Sequence, residues 1–386
     1  MPEMGNSKQE KSVCHISTVH SVADDRIFYK ECVSLARNGY AVSLVVPHDK
    51  DEDREGVNVF ALPDFKNRPR RFVEGSFRAL RKGLKTKAGL IHFHDPELIL
   101  IGLIFKLFGR KVIYDIHELV YYHLDQKQWG NKAVRSILKR IYRFFEFLAV
   151  RFFDKIILVV DDDHFRDYFF TTYKKFTPKF LFIRNYPMIR FTDDLAPAGY
   201  IKKKDVIIYA GGLSRERGIR EVIRATGFLS SAPTFILFGK WSDDGYKNEC
   251  IQEPGWKNVE YMGYQRLEEI YPFIKVADLG IALLYPLKNY LTSLPVKAFE
   301  YMTCSVPILM SDFPFWIRKF GDCAYFTDPY SSEKIAEVLQ KILQDKEMMK
   351  AKGKAGRALV EQNYSWEAEE KVLAACYDEL FASSQK

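Results

Sequence analysis

Short apolar runs alternate with stretches of helical period along the chain. Residues 13–16, 41–46, 57–62, 90–93, 111–116, 155–160 and 180–183 read as buried strands. Residues 27–37, 98–108 and 131–153 repeat apolar positions every three to four residues, as helices do, and Asn38-Gly39 is a helix stop signal. Residues 185–204 then carry Pro187, Pro197, Gly199 and three consecutive lysines without any period, and read as a linker. The alternation restarts with strands at 206–209, 234–238, 259–262 and 279–284 and helices at 219–226, 267–273, 331–343 and 366–381. This pattern predicts an α/β protein of two doubly wound, Rossmann-like domains, at 12–190 and 205–362, with residues 363–386 as a final helix. Two such units joined by a linker leave a cleft between them.

In open parallel sheets, ligands bind beyond the carboxyl ends of the strands. The chemically rich loops all fall there: 17–26, 92–97, 115–118, 211–218, 239–241 and 284–295. His20, Asp25 and Arg26 lie in the first, Asp95 in the second, Glu118 in the third and Lys240 in the fifth. His92, His94 and Asp95 in H-F-H-D-P-E, with His117 in Y-D-I-H-E, suit general base work or the orientation of a hydroxyl. The same four could ligate a divalent metal, since His92 and His94 share one side of a strand. No downstream His or Cys cluster supports that set, and the reading assigns no metal.

Gly211 and Gly212 open a strand-to-helix turn that has neither the dinucleotide fingerprint nor a P-loop. Glycine there lets backbone approach a ligand, and Arg215 and Arg217 offer forks for a diphosphate. Residues 289–307 form a polar loop with Ser293 that runs into a helix carrying Lys297 and Glu300. A helix start aims N–H groups and positive potential at a phosphate. Lys297 adds a cation, and Glu300 can accept from sugar hydroxyls. The acidic run after residue 159 reads as a helix cap rather than a metal motif.

Composition narrows the class. The 386 residues exceed one ordinary core, and no apolar run is long enough to span a bilayer. Six scattered cysteines without a C-x-x-C pair read as reduced thiols, and the polar opening residues lack an apolar signal core, so a cytoplasmic chain is expected. A net charge of +8 with 30 Phe and 22 Tyr is concentrated partly at 66–87 and 135–153. The second stretch sets Arg135, Lys139, Arg140, Arg143 and Arg151 beside Ile137, Phe144 and Phe152, which suits an anionic membrane face or a core helix with a solvated basic side. No nucleic-acid motif is present.

Taken together, H-I-S-T-V-H-S-V-A-D-D-R-I, H-F-H-D-P-E-L, Y-D-I-H-E, Y-A-G-G-L-S-R-E-R-G-I, S-L-P-V-K-A-F-E-Y-M-T-C-S-V-P and N-Y-S-W-E resemble retaining glycosyltransferases of the two-domain GT-B class, family 4, in the bacterial polysaccharide and lipopolysaccharide branch. The resemblance runs from about residue 13 to 381 and implies roles residue by residue. Arg217 stands where the family contacts the donor diphosphate. Glu300 stands at the ribose-binding Glu, and His117 at the His near the reacting sugar. Backbone at 293–296 would touch the phosphates, and the final helix would cross back onto the first domain. Such enzymes are generally metal-independent. Two positions depart from the pattern: Thr292 replaces the first of the family's paired Glu, and Gly212 replaces an Arg of the glycine turn.

The resulting expectation is sugar transfer from a nucleoside diphosphate sugar, UDP-linked before GDP-linked, to a lipid-linked or growing polysaccharide acceptor. No cofactor is expected, and peripheral contact with the inner membrane face is. The rival readings are a metal-dependent hydrolase built on His92, His94, Asp95 and His117, and a non-catalytic, membrane-associated assembly subunit.

Overall fold

A computed structural model describes residues 11–120, 132–159, 163–288 and 290–383. The chain divides into two compact units. The first takes the residues up to Asn185 together with those from Ala368 on, and the second is Tyr186–Glu367.

The first unit is built on an eight-stranded sheet of order β3-β4-β2-β1-β5-β6-β7-β8. Its strands are β1 (Ser12–Ile16), β2 (Ala41–Pro47), β3 (Glu52–Arg54), β4 (Val57–Leu62), β5 (Leu90–Phe93), β6 (Lys111–Ile116), β7 (Lys155–Leu158) and β8 (Phe180–Phe182). All pairs are parallel except β3 with β4. Side chains alternate across a strand, and here the two faces differ in kind. Cys14, Ile16, Ile91, Phe93, Tyr114 and Ile116 enter an apolar core beneath the helices Ser76–Lys85, Ile99–Leu107 and Lys132–Phe152. The intervening His15, His92 and Asp115 face the other way and are fully buried. Register explains the cluster, because His15 lies opposite His92 and Phe93 opposite Tyr114.

Two elements cover this polar face. One is a π-helical segment, Asp25–Cys32, that continues as the helix Val33–Arg37. Its i→i+5 winding sets residues five apart over one another, and Arg26 meets Glu31 while Asp25 meets Lys30. The other is the C-terminal helix Trp366–Ala382. Its Tyr377 reaches His92, its Asp378 accepts from Lys11 and Tyr40, and its Glu370 accepts from Asn38.

The second unit carries a six-stranded, all-parallel sheet of order β11-β10-β9-β12-β13-β14. The strands are β9 (Val206–Ala210), β10 (Thr234–Phe238), β11 (Val259–Gly263), β12 (Leu279–Ala282), β13 (Ile308–Ser311) and β14 (Ala324–Thr327). Apolar clusters lie on both faces, so β9 is buried along its whole length, as a central parallel strand requires.

The linker expected at 185–204 is corrected by packing. Residues Ile189–Asp194 are helical, and Tyr186, Ile189, Phe191, Leu195 and Tyr200 lie on the core of the second unit. Arg357 forks Asp193 at 2.8 Å on both oxygens, which fastens the segment further. The antiparallel β3, the strand β14 and the helices Asp244–Ile251, Pro314–Phe320 and Lys346–Asn363 had no counterpart in the sequence reading. The acidic run after Val159 lies mostly outside the described residues.

Candidate functional site

Two polar constellations lie at carboxyl ends of strands, one in each unit.

In the second unit, β9 ends in Gly211 and Gly212. Gly211 has φ +146°, and its N–H donates to the Phe238 carbonyl at 3.1 Å. Gly239, at the end of β10, has φ +142°, and a Cβ there would lie 1.8 Å from the Gly211 carbonyl oxygen. Only glycine permits both the backbone angle and the contact. Leu213 N–H then donates to the Lys240 carbonyl at 2.9 Å, which locks the two strand ends together.

Lys297 enters this turn from the first turn of the helix Val296–Thr303. Its ammonium donates to the Tyr209 hydroxyl at 2.8 Å and sits 4.0 Å from the ring centroid. Tyr209 in turn donates to the Gly212 carbonyl at 2.8 Å. Burial, and then the nearby Arg217 charge, pushes the Lys297 pKa well below the ordinary lysine value, with Glu300 opposing. Burial pushes the Tyr209 phenol up to about 12. Burial works against the Arg217 charge, but its contact with Tyr209 outweighs that and raises its pKa. Lys297 and Arg217 therefore converge on one neutral phenol.

No side chain caps the start of the helix Val296–Thr303. The half-buried Lys297 in the first turn of this helix and Arg217 meet at the glycine turn that ends β9, which is an anion-binding arrangement. The Ser293 carbonyl accepts from Trp316 Nε1 at 2.7 Å, which fixes the loop leading into the helix. Glu300 lies one turn beyond Lys297 and is half-buried. Arg215 is differently employed: its fork grips Glu249 at 2.5 and 2.6 Å and stacks on Tyr246. Lys240 is exposed and lies 4.4 Å from the Tyr264 ring centroid. Asn289 lies outside the described residues.

In the first unit, Asp115 is the centre. It accepts from His94 Nδ1 at 3.1 Å and His117 Nε2 at 3.0 Å, and Arg26 forks it at 3.2 to 3.4 Å. Burial favours the neutral acid, but the Arg26 charge and the two histidines outweigh it and hold this carboxyl well below the usual range. An ionised Asp115 only accepts, so the network assigns protons to His94 Nδ1 and His117 Nε2. That leaves His117 Nδ1 as an acceptor on a half-buried ring. His94 Nε2 faces His15 Nδ1 at 3.2 Å, and His15 Nε2 faces the Tyr377 hydroxyl at 3.2 Å. Burial drives His15 and His92 well below the usual histidine range and lowers His94 as well.

The other acceptor-side residues of the sequence reading separate here. His20 pairs with Asp24 at 2.8 Å and its ring lies 5.3 Å from that of His117, so it borders the group. Asp95 turns to Ser17 Oγ at 2.9 Å and Thr18 N–H at 2.6 Å, where it ties the loop after β1. Glu118 is exposed, and Asp25 engages Lys30. The four-residue metal set is corrected: Asp95 does not join the histidines, whereas Glu31 and His15 do. Sequence reasoning missed Glu31, since its place beside Arg26 depends on π winding. It also missed Tyr377, which arrives from the far end of the chain. His15 was findable, because it has the same strand parity as His92.

Comparison with known proteins agrees with both halves. The family described as "Glycosyltransferase Family 4" matches residues 26–162, and that described as "Glycosyl transferases group 1" matches residues 192–359. No curated protein sequence matches the chain significantly. Among solved structures, sucrose-phosphate synthase from Thermosynechococcus elongatus superposes with a TM-score of 0.74 at 17% identity, covering 97% of this chain and 100% of that one. Anabaena HepE in complex with UDP-glucose gives 0.69 at 13% identity, covering 95% and 99%. WaaG, a glycosyltransferase involved in lipopolysaccharide biosynthesis, gives 0.64 at 15%, covering 95% and 99%. At these identities the likeness is one of fold.

Proposed function

Because the chain belongs to the family 4 glycosyltransferases of GT-B fold, we propose that it moves a sugar, a hexose first, from a nucleoside diphosphate donor to a lipid-linked or growing polysaccharide acceptor. UDP is the first-choice nucleotide and GDP the second. The observation that carries the donor half is Lys297, a half-buried ammonium hydrogen-bonded to a neutral phenol beside a glycine turn. An incoming diphosphate supplies the negative charge that this ammonium lacks. HepE holds UDP-glucose on a similar fold, which supports the order of nucleotides.

In this reading Arg217, Lys297 and the open amides near Ser293 neutralise the leaving diphosphate, so the transfer needs no metal there. Glu300 binds the ribose, and Gly211 and Gly212 let the phosphates approach the backbone. Arg215, held by Glu249, serves the turn rather than the phosphates. His117, oriented through Asp115, accepts a hydrogen bond from a sugar hydroxyl through Nδ1, and retention at the transferred carbon is the expected outcome. His94 holds its place by sharing Asp115. The first-unit residues His20, Asp95 and Glu118 border the acceptor side. The hydrolase reading loses its basis with Asp95 turned away from the histidines.

The acceptor half draws on the helix Lys132–Phe152. Val134, Ile137, Ile141 and Phe144 are exposed at three- and four-residue spacing, and Arg140, Arg143 and Arg151 are exposed on the same helix. An apolar stripe beside a basic face suits an anionic lipid surface. Among the described residues no helix is long and apolar enough to cross a membrane.

The test is calorimetric titration with UDP, GDP and their sugars, followed by product detection with lipid-linked acceptors. Saturable binding of a uridine or guanosine nucleotide is expected. Absence of binding by every nucleotide, with the fold intact, would sink the donor assignment.

A further inference from the structure

We propose that His15, Glu31, His92 and His94 form a buried site for a divalent cation of the zinc type, which fastens β1, β5 and the π-helical segment Asp25–Cys32 to one another. All four side chains are fully buried or nearly so, and their candidate ligand atoms lie within 4.8 Å of one another.

The spacing is the first argument. His15 Nδ1 lies 3.2 Å from His94 Nε2 and 3.5 Å from Glu31 Oε2. His94 Nε2 lies 3.7 Å and His92 Nδ1 3.9 Å from the same Glu31 oxygen. Ligands placed about 2.0–2.1 Å from a tetrahedral zinc are separated by about 3.3–3.4 Å. Three of these atoms already lie close to that separation, and His92 completes the set from the neighbouring strand by turning Nδ1 from the Tyr377 hydroxyl, 2.6 Å away, to the ion.

The outer contacts are the second argument. Metal-bound histidines commonly donate their other ring nitrogen to a carboxylate or similar acceptor. His94 does so through Nδ1 to Asp115 at 3.1 Å. His15 places Nε2 3.2 Å from the Tyr377 hydroxyl, and Glu31 Oε1 lies 3.0 Å from Arg26 Nη2. Each of these three ligands is thus held from behind by a different element.

The third argument is unmet hydrogen bonding. Glu31 Oε1 meets the Arg26 guanidinium, but among the described residues Oε2 has no hydrogen-bond partner, although the side chain is fully buried. A carboxyl left so is costly unless something else binds it. Arg26 bridges Asp115 and Glu31, and Glu31 Oε2 is the oxygen that faces His15, His92 and His94. Three imidazoles and one carboxylate suit zinc or cobalt rather than magnesium or calcium. A second grouping, His94, Asp115 and His117, shares one residue but uses the Nδ1 face of His94, which is committed to Asp115. The ion belongs to the first unit and steadies His94. It takes no part in neutralising a diphosphate at Lys297.

The full chain is expressed in zinc-supplemented medium, purified without chelator and assayed by elemental mass spectrometry. About one zinc per chain is expected. The cobalt-loaded protein should show the visible absorption of a tetrahedral centre. Glu31→Gln and His15→Gln should each lower the zinc content at least about tenfold while UDP binding persists. Wild-type chain with native circular dichroism and less than about a tenth of an equivalent of zinc overturns the proposal, as does full occupancy in both variants. Should the variants fail to fold, the cobalt spectrum of the wild type decides.

Discussion

Lys297 directs its ammonium to the Tyr209 hydroxyl, 2.8 Å away, across the glycine turn that ends β9. The pair places a cation where burial opposes it. The folded pKa of Lys297 lies well below the ordinary value, so the unfolded chain binds that proton more tightly. Stability therefore rises with pH: the penalty is full below the folded pKa and is gone above the free value of about 10.4. Lys297→Met should raise the melting temperature of the ligand-free protein at neutral pH and weaken UDP binding about 10- to 100-fold. Thermal shift with and without UDP checks both signs. A variant that loses stability and keeps its affinity refutes the role.

Glycine at 239 and at 211 should separate folding from binding. Gly239→Ala forces a methyl to 1.8 Å from a carbonyl oxygen, and we expect destabilisation of about 3 kcal/mol or more, read by denaturant titration. Gly211→Ala meets Lys297 Nζ and Tyr209 Oη at 3.3 Å, at a strained φ. It should retain secondary structure by circular dichroism and lose most nucleotide affinity.

His117 and Asp115 should act on turnover more than on donor affinity. His117→Ala is expected to lower kcat about 100-fold or more, with the donor Kd within about threefold. Asp115→Asn can donate where the carboxylate only accepts, so it favours the other His117 tautomer and should also depress kcat. Steady-state kinetics beside calorimetry distinguishes these effects from loss of donor binding.

The helix Lys132–Phe152 gives a lipid prediction. Flotation with vesicles containing anionic lipid should capture the protein at low salt and release it as salt rises, since each basic residue near the surface contributes about 1 kcal/mol. Arg140→Glu with Arg143→Glu should abolish capture without altering UDP affinity. Equal capture by neutral vesicles would argue against an electrostatic contact.

The parallel architecture was legible because buried parallel strands are largely apolar runs: β9 and β10 are nearly continuous, and β1, β5 and β6 are broken inside the run only by His15, His92 and Asp115. The polar strand β3 was not, since it pairs at an edge and its Glu52, Asp53 and Arg54 carry no apolar signal. The helix Ile189–Asp194 was hidden among prolines, and only its packing shows that the segment is not a tether. In the candidate site, Gly211 was readable because it follows β9 directly, Arg217 because it closes the turn after β9, and Lys297 because it stands at the start of the helix that follows β12. Arg215 looked equivalent to Arg217 in sequence, and only the position of Glu249 tells them apart. Glu31 was out of reach, because helical reading assumes α winding and its alignment with Arg26 needs five residues per step.

The long reach of Tyr377 has a consequence for how the chain is made. The first unit draws a buried hydroxyl for His92 and His15, and a carboxylate for Tyr40 and Lys11, from residues translated after the whole second unit. A nascent chain stalled before that helix leaves the histidine face of the first sheet unsealed, so chaperones and proteases meet it as an unfinished surface. A nonsense codon near the 3′ end of the message would then be felt first at the sheet that was synthesised earliest.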